Sequence, residues 1–203
     1  SIIADFLNAH MWQSTVWPSK FNNSYNFLGE PAKMNAATDI VDKKILSNGI
    51  FYGTKKINEP NVFSTVYGKA YLNPNYRIMT MLLDMELKPI ITNSNVKYTL
   101  FMMSDAVIAA KGYSYNTSTN AWQYINPVGG AVSVNDSNRL NLMRMLYTSV
   151  VETPNNELAN IGTAGFSGII KTFGGEYIKY DGNKVFTAGS IQRNASITID
   201  SVK

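Results

Sequence analysis

The stretch VKYTLFMMSDAVIAAKGY, residues 96–113, decides the fold that the sequence predicts. Its apolar run at residues 98–103 has the length and composition of a β-strand. Ser104 follows at the position of a helix N-cap, where a side-chain hydroxyl accepts a hydrogen bond from the first turn. The short apolar segment after Ser104 indicates a helix. We therefore expect this stretch to be the central strand-to-helix unit of one domain.

Length and composition bound the class of protein. The chain has 203 residues, of which 45% are hydrophobic, so it can bury a real core. Its net charge of +4 is spread out without a Lys/Arg-rich run, which argues against a nucleic-acid partner. No apolar run approaches the roughly 20 residues of a membrane-spanning helix. The absence of cysteine excludes disulfides, thiolate chemistry and cysteine-based zinc sites.

Two further features concern location. Asn, Ser, Thr and Tyr are abundant and charged residues are few, as is typical of an exported surface protein. The first residue is Ser1 rather than Met, which indicates a processed or trimmed chain.

Hydrophobic spacing predicts helices at residues 1–12, 76–87 and 139–151. Pro89 is expected to end the second helix, because proline cannot continue the hydrogen-bond ladder. The apolar stripe of that helix is expected to consist of Ile78, Met81, Leu82 and Met85.

Turn residues predict the strands. Two short extended segments flank Ser47-Asn48-Gly49 and predict a hairpin. Gly and Asn-Gly turns divide residues 168–202 into apolar segments and predict a β-meander. We place a domain boundary near residue 60, after the turn signal at residues 58–61.

Residues with catalytic potential are sparse. His10 is the only histidine, and a lone histidine among apolar residues is more often a hydrogen-bonded packing residue than a catalyst. The carboxylate pairs Asp84/Glu86 and Glu152/Glu157 are the remaining candidates for a hydrolase. Asp84 and Glu86 are two residues apart on a predicted helix and face different ways. We therefore expect no enzyme, no metal site and no cofactor.

The best candidate binding residues are aromatic. Rings among amide and hydroxyl side chains suit glycan or protein contacts, because the rings stack while the amides hydrogen-bond. A loop folded over its own aromatic residues is an equally good interpretation. The candidates in the loop at residues 113–124 are Tyr113, Tyr115, Trp122 and Tyr124.

Residues 98–105 resemble a conserved block of the fasciclin (FAS1) family, Tyr-Thr-hydrophobic-Phe-Ala-Pro-Thr-Asp-Glu-Ala-Phe. Thr99, Phe101 and Asp105 fit this block, and Ser104 takes the place of its Thr. These residues are expected to have structural roles.

A second stretch is similar to the Asn-Gly block of the same family. Asn48 and Gly49 match it, while Tyr52 takes the place of its His and Lys55 that of its Asp. Family members tied to integrin binding carry a Tyr-His pair near the central helix. The matching place here has Tyr147 followed by Thr, which argues against an integrin role.

The resemblance implies an α+β fold, namely a wedge-shaped β-sandwich with packed helices. Residues 1–60 would be the C-terminal part of a first FAS1-like domain. Residues 61–203 would be a second FAS1-like domain that lacks its final strand. The family also implies a bacterial cell-surface lipoprotein, exported to the surface or outer membrane, with its lipid anchor upstream of this chain.

The implied function is non-catalytic adhesion, through contacts with an extracellular protein or a glycan. The alternative is a surface carbohydrate-binding accessory protein that uses the aromatic loop at residues 113–124.

The Asn-Gly strand also predicts strand exchange. Because the second domain lacks its own copy, the strand at residues 48–52 is expected to complete that sheet within the chain or between chains. Pairing of residues 45–57 only within residues 1–60 would contradict this prediction.

Overall fold

A computed structural model of the chain describes residues 1–187 and 196–199. It is a mixed α+β structure whose strands form several small sheets. The chain divides into two compact units, unit 1 (Ser1–Gly68) and unit 2 (Lys69–Lys203), whereas the sequence placed a boundary near residue 60. Parts of the predicted meander, at residues 188–195 and 200–202, lie outside the described residues.

The elements of the described residues are numbered in chain order. The helices are α1 (Ile2–Ala9), α2 (Val66–Tyr71), α3 (Arg77–Glu86), α4 (Lys88–Ile91), α5 (Asp105–Ala110) and α6 (Asp136–Thr148). The strands are β1 (Ile40–Leu46), β2 (Gly49–Thr54), β3 (Tyr98–Leu100), β4 (Tyr113–Asn116), β5 (Ala121–Ile125), β6 (Val132–Ser133), β7 (Val150–Glu152), β8 (Ser167–Lys171), β9 (Tyr177–Asp181), β10 (Lys184–Thr187) and β11 (Ile197–Thr198).

Unit 1 begins with α1, which confirms the helix predicted at the start of the chain. The Ser1 hydroxyl caps it by accepting a hydrogen bond from the Ala4 N–H (3.3 Å). The small apolar core of the unit includes Phe21, against which the ring of Tyr52 packs edge-on at 5.5 Å. The Tyr52 hydroxyl donates to the Val16 carbonyl (2.9 Å), so this residue of the Asn-Gly block has a structural role.

The predicted hairpin is confirmed as the antiparallel pair of β1 and β2. Leu46 pairs with Gly49 across a turn that contains Asn48. Gly49 does not adopt a left-handed conformation, and a Cβ atom added to it would meet nothing within 4 Å. This turn therefore does not require the glycine of the Asn-Gly block.

The predicted strand exchange within the chain is wrong. Within the part of the chain that the structure describes, β2 pairs only with β1. The physical reason is local: a short turn brings the two strands together at a small loss of chain entropy, whereas pairing with a distant strand must close a long loop.

A network of buried polar groups holds the segments of unit 1 together, with Asn58 at its centre. The Asn58 side chain is fully buried. Its amide nitrogen donates to the Ala9 carbonyl (2.7 Å), and its oxygen accepts the Lys33 N–H (2.8 Å). Asn26 also donates to the Ala9 carbonyl (3.0 Å). The end of α1 is therefore joined directly to the segments around Asn26 and Asn58, and through Asn58 to the segment around Lys33.

Asp39 anchors the loop before β1. Its buried carboxylate accepts hydrogen bonds from the Asn35 N–H (2.8 Å) and the Thr38 hydroxyl (3.1 Å), and Lys56 lies 3.4 Å away. The hydrogen bond from Asn35, with smaller contributions from Thr38 and Lys56, lowers the pKa of Asp39 against the opposing effect of burial.

This lowered pKa predicts a pH dependence of stability. A carboxylate whose pKa is lower in the folded state stabilises fully above its unfolded value of about 3.9, and this contribution is lost as the pH falls through the folded value. The difference in free energy of unfolding between the wild type and Asp39→Asn should therefore be constant from pH 7 to about 5 and shrink below about 4. Urea titrations of both proteins at several pH values measure this difference. Asp42→Asn, on the exposed surface of β1, is the control. A difference that stays constant down to about pH 2 would contradict the prediction.

Unit 2 contains the predicted helices α3 and α6, although α6 begins before residue 139 and ends at Thr148, and residues 150 and 151 belong to β7. Leu82 and Leu83 of α3 and Leu142 and Leu146 of α6 are buried. The predicted stripe is only partly correct, because Ile78 and Leu82 are buried while Met85 is exposed. Pro89 does not directly follow the helix but lies in the first turn of α4.

The stretch at residues 96–113 is only partly as predicted. Only Tyr98–Leu100 form a strand, β3, and among the described residues it pairs with β7 alone, so it is not the centre of a large sheet there. The Phe101 N–H still donates to the Ser149 carbonyl in register with β7 (2.8 Å), but the Ser149 N–H donates to the Leu146 carbonyl at the end of α6 (2.9 Å), so the ladder goes no further. Beyond it, the Met103 N–H contacts the Met79 sulfur (3.2 Å).

The residues of the first fasciclin-like block have structural contacts. Ser104 caps α5 by accepting the Val107 N–H (3.3 Å), which confirms the predicted cap. The Asp105 carboxylate accepts the Ile78 N–H at the start of α3 (2.8 Å). The Thr99 hydroxyl lies 3.1 Å from the Thr153 hydroxyl, which ties β3 to the segment after β7, and Phe101 packs against an apolar cluster.

The predicted meander is confirmed for the described residues. β8, β9, β10 and β11 form one antiparallel sheet in sequence order. Alternate residues of β9, Ile178 and Tyr180, are buried. They face a cluster completed by Val151, Leu158, Ile161 and Val185.

Candidate functional site

The predicted aromatic loop is a three-stranded antiparallel sheet formed by β4, β5 and β6, which we call the aromatic sheet. Tyr113 pairs with Tyr124, and Tyr115 pairs with Trp122. Because side chains alternate along a strand, these four rings lie on one face. The ring centroids are 5.0 Å apart in the first pair and 4.8 Å apart in the second. The structure thus brings all four predicted residues together.

The rings pack on one another. Trp122 is only 8% exposed, and the three tyrosines are half-buried. The Trp122 ring therefore has no open face on which a ligand could stack. This arrangement favours the interpretation in which the segment folds over its own aromatic residues, and it leaves the edges of the tyrosines as the accessible part of this face.

The aromatic sheet is held by α6 and by a close approach of main chains. The buried amide of Asn138 donates to the carbonyls of Ser133 (2.9 Å) and Trp122 (3.3 Å), so one side chain bridges β6 and β5. At the other end of β5, the Ile125 N–H donates to the Gly112 carbonyl (2.8 Å). A Cβ atom on Gly112 would lie 2.2 Å from the Ile125 carbonyl oxygen, so only glycine fits.

One ion pair lies in the first turn of α6, next to the aromatic sheet. Arg139 donates two hydrogen bonds to the Asp136 carboxylate, at 3.0 and 3.1 Å. These hydrogen bonds, and the attraction between the charges, lower the pKa of Asp136. The pair is fixed locally within one helical turn, and it adds no unpaired charge to the surface.

The tip of the β4–β5 hairpin is polar and ordered. The Asn116 side chain accepts hydrogen bonds from the N–H groups of Ser118 (2.9 Å) and Thr119 (3.2 Å). The Tyr115 hydroxyl donates to the Asn120 side chain (3.2 Å), and Asn120 has a positive φ of 51°. The tip therefore presents amide and hydroxyl groups beside the edge of one tyrosine.

The opposite face of the aromatic sheet carries apolar residues that the sequence analysis missed. Ile125 pairs with Val132 across β5 and β6, and both are exposed. In the loop between them, Val128 is 96% exposed, although its N–H is fixed by the Asn126 side chain (2.9 Å). Because side chains alternate along a strand, the order Trp122, Gln123, Tyr124, Ile125 places Ile125 on the face opposite the rings. This position could therefore have been predicted from the sequence. We call Ile125, Val128 and Val132 the valine surface.

The predicted role of His10 as a packing residue is confirmed. Its Nδ1 atom lies 2.8 Å from the Phe6 carbonyl oxygen, and its Nε2 accepts the Asn58 N–H (2.9 Å). Both ring nitrogens are thus engaged with the main chain. His10 has no free nitrogen for proton transfer.

Three of the four candidate carboxylates have partners of their own. Asp84 pairs with Lys88 at 3.5 Å, and Glu86 accepts a hydrogen bond from the Tyr147 hydroxyl. Glu157 accepts a hydrogen bond from the Asn155 side chain (3.1 Å). The described residues contain no group of three or more His, Cys, Asp or Glu side chains placed to hold a metal ion.

The two faces of the aromatic sheet differ in chemistry: one offers tyrosine edges and a polar tip, the other the exposed valine surface. Within residues 1–187 and 196–199, no helix combines the length and the apolar character needed to cross a bilayer. No family model, curated protein or solved structure matches the chain.

Proposed function

We propose that the chain is a non-catalytic interaction module of FAS1 type that binds an extracellular protein through the valine surface. It acts at the cell surface or outer membrane after export, attached through a lipid anchor upstream of this chain. The wedge-shaped sandwich of the family is part of the same proposal. Its sequence support is the two fasciclin-like blocks at residues 48–52 and 98–105.

The exposure of the valine surface carries the proposal. Val128 is almost completely exposed although its loop is hydrogen-bonded, and Ile125 and Val132 lie exposed as a cross-strand pair. Contiguous exposed apolar side chains mark protein-contact surfaces, and Ile125 and Val132 are direct cross-strand neighbours. Gln123 lies on the same face of β5 and supplies an amide beside them.

The fasciclin-like blocks support the proposal in a different way. Ser104 caps α5, Asp105 holds the start of α3, and Asn48 lies in the hairpin turn. Residues that are needed for the fold leave the binding function to surfaces outside the blocks.

Binding to immobilised collagen, fibronectin and laminin tests the proposal. We expect saturable binding to at least one of them, and a loss of about tenfold or more in affinity for Val128→Asp, because a carboxylate would be desolvated in the contact. Val107→Asp is the matched control, since Val107 is about half exposed in unit 2 but lies on α5. Absence of binding to all three proteins, or an equal loss in both variants, would contradict the proposal.

A second candidate function, glycan binding, rests on the polar tip of the hairpin. Tyr115, Asn116 and Asn120 place a ring edge and two amides close together, which suits a sugar. A glycan array should then show saturable binding that Tyr115→Ala abolishes and Val128→Asp leaves unchanged. Trp122→Ala is unsuitable as a probe because Trp122 is buried and its loss would disturb the sheet. Absence of binding to every sugar removes this candidate.

A further inference from the structure

The two strands of the unit 1 hairpin differ sharply in charge. β1 carries Asp42, Lys43 and Lys44 in succession, whereas β2, with the sequence GIFYGT, carries no charged residue. Folded proteins commonly protect the open edge of a sheet with charged side chains, lysine above all. The edge of β1 has this protection and the edge of β2 lacks it.

The outer edge of β2 also has main-chain groups without a partner strand. In the described residues, β2 pairs on one side only, with β1. Leu46 and Gly49 pair across a two-residue turn. In such a hairpin the residues that flank the turn form a hydrogen-bonded pair, and these pairs alternate with non-hydrogen-bonded pairs along the ladder. The N–H and C=O groups of Phe51 therefore face β1, and those of Ile50 and Tyr52 face outward.

We propose that β2 pairs with β2 of a second copy of this chain, in antiparallel orientation, with Phe51 opposite Phe51 at the twofold axis. In this register, Ile50 of one copy lies opposite Tyr52 of the other, so the outward main-chain groups satisfy one another through about four hydrogen bonds. The two hairpins then form one four-stranded sheet in the order β1, β2, β2, β1. The interface is isologous, which is the commonest form of protein dimer.

Charge decides which edge pairs. In the proposed sheet the two copies of β1 lie three strand spacings apart, about 14 Å. This separation exceeds the Debye length of about 8 Å at physiological ionic strength, so the lysines of the two copies repel each other weakly. Pairing through β1 would instead bring Lys43 and Lys44 within about 5 Å of the same residues of the other copy. The uncharged strand is the edge that a second copy can occupy.

Exposed apolar side chains add area to the same contact. Phe51 is 54% exposed in the isolated chain, and its pairing partner across the hairpin is Lys44 rather than an apolar residue. Opposite its own copy, Phe51 gains an aromatic cross-strand neighbour. Leu46, which is also exposed, lies on the same face of the hairpin as Phe51 and extends the apolar surface toward the turn.

Sedimentation velocity of the full chain over a range of concentrations tests the proposal. The wild type should show a reversible monomer–dimer equilibrium. Phe51→Lys places a charge on the pairing edge and should raise the dissociation constant by about tenfold or more. Ile45→Lys is the matched control, because it also replaces an exposed apolar residue of the hairpin with lysine but lies on β1. It should leave the dimer intact.

A second variant tests the main-chain hydrogen bonds. Ile50→Pro removes an N–H that faces away from β1, so the hairpin keeps its own ladder. The dimer loses two hydrogen bonds, one donated by each copy. Circular dichroism verifies that each variant is folded. A wild type that stays monomeric, larger oligomers, or equal weakening by Phe51→Lys and Ile45→Lys would overturn the proposal. Capture of an extended peptide by β2 without dimerisation would also overturn it.

Discussion

Replacement of Asn58 by alanine is expected to lower the free energy of unfolding of unit 1 by about 2–4 kcal/mol. The substitution removes the donor to the Ala9 carbonyl and the acceptor of the Lys33 N–H, in a position where the side chain is fully buried. It leaves a main-chain N–H without its partner and a cavity of nearly the volume of an amide group. Hydrogen exchange read by mass spectrometry, peptide by peptide over residues 1–68, measures the loss.

Two further variants sharpen this test. Asn58→Asp keeps the shape and the acceptor but loses the donor and places a carboxylate beside the Ala9 carbonyl, so it should destabilise unit 1 at least as much as alanine. Asn22→Ala removes an exposed amide and should change the free energy of unfolding by less than about 0.5 kcal/mol. A similar small change for Asn58→Ala would show that the network does not hold the unit together.

Substitution of Gly112 by alanine is expected to have the largest effect on unit 2. Gly112 has a φ of +87°, which alone disfavours alanine by about 1–2 kcal/mol. The new Cβ would also lie 2.2 Å from the Ile125 carbonyl oxygen, so the main chains of residue 112 and β5 must separate. We expect a total loss of about 3–5 kcal/mol in the free energy of unfolding, measured by urea titration.

Gly175 provides a matched control for this prediction. Its φ is +86°, nearly the same as that of Gly112, but a Cβ atom there would meet nothing within 4 Å. Gly175→Ala should therefore show the conformational effect alone, about 1–2 kcal/mol. The difference between the two variants isolates the clash with Ile125. Equal effects would contradict the close approach of residue 112 to β5.

Local signals explain which parts of the fold could be predicted. The cap at Ser104, the hairpin turn of unit 1 and the meander of unit 2 depend on residues close in sequence, and the structure confirms them. The end of β3 could not be predicted, because it depends on Ser149 and Met79, which are distant in sequence. Apolar composition alone extended that strand too far.

In the candidate site, too, the features set by neighbouring residues could be predicted and those set by distant contacts could not. The aromatic residues of β4 and β5 could be recognised from composition, and their alternation places them on one face. The burial of Trp122 depends on contacts that alternation does not reveal. The sequence predicts Asn58 only as part of a turn, because asparagine is common in turns. Its role depends on Ala9, which is 49 residues away.

The contacts in unit 1 differ in the sequence separation of their partners, and this difference affects the order of folding. The hairpin of β1 and β2 is closed by neighbouring residues and can form within about 1–10 μs, whereas the bond from Asn58 to Ala9 spans 49 residues and must wait for a larger loss of chain entropy. An isolated two-stranded hairpin is only marginally stable, so during synthesis and refolding it forms transiently before the segments around it are fixed. The uncharged β2 edge is then most open to other chains, so refolding at high protein concentration should give more misassembled material for the wild type than for Phe51→Lys.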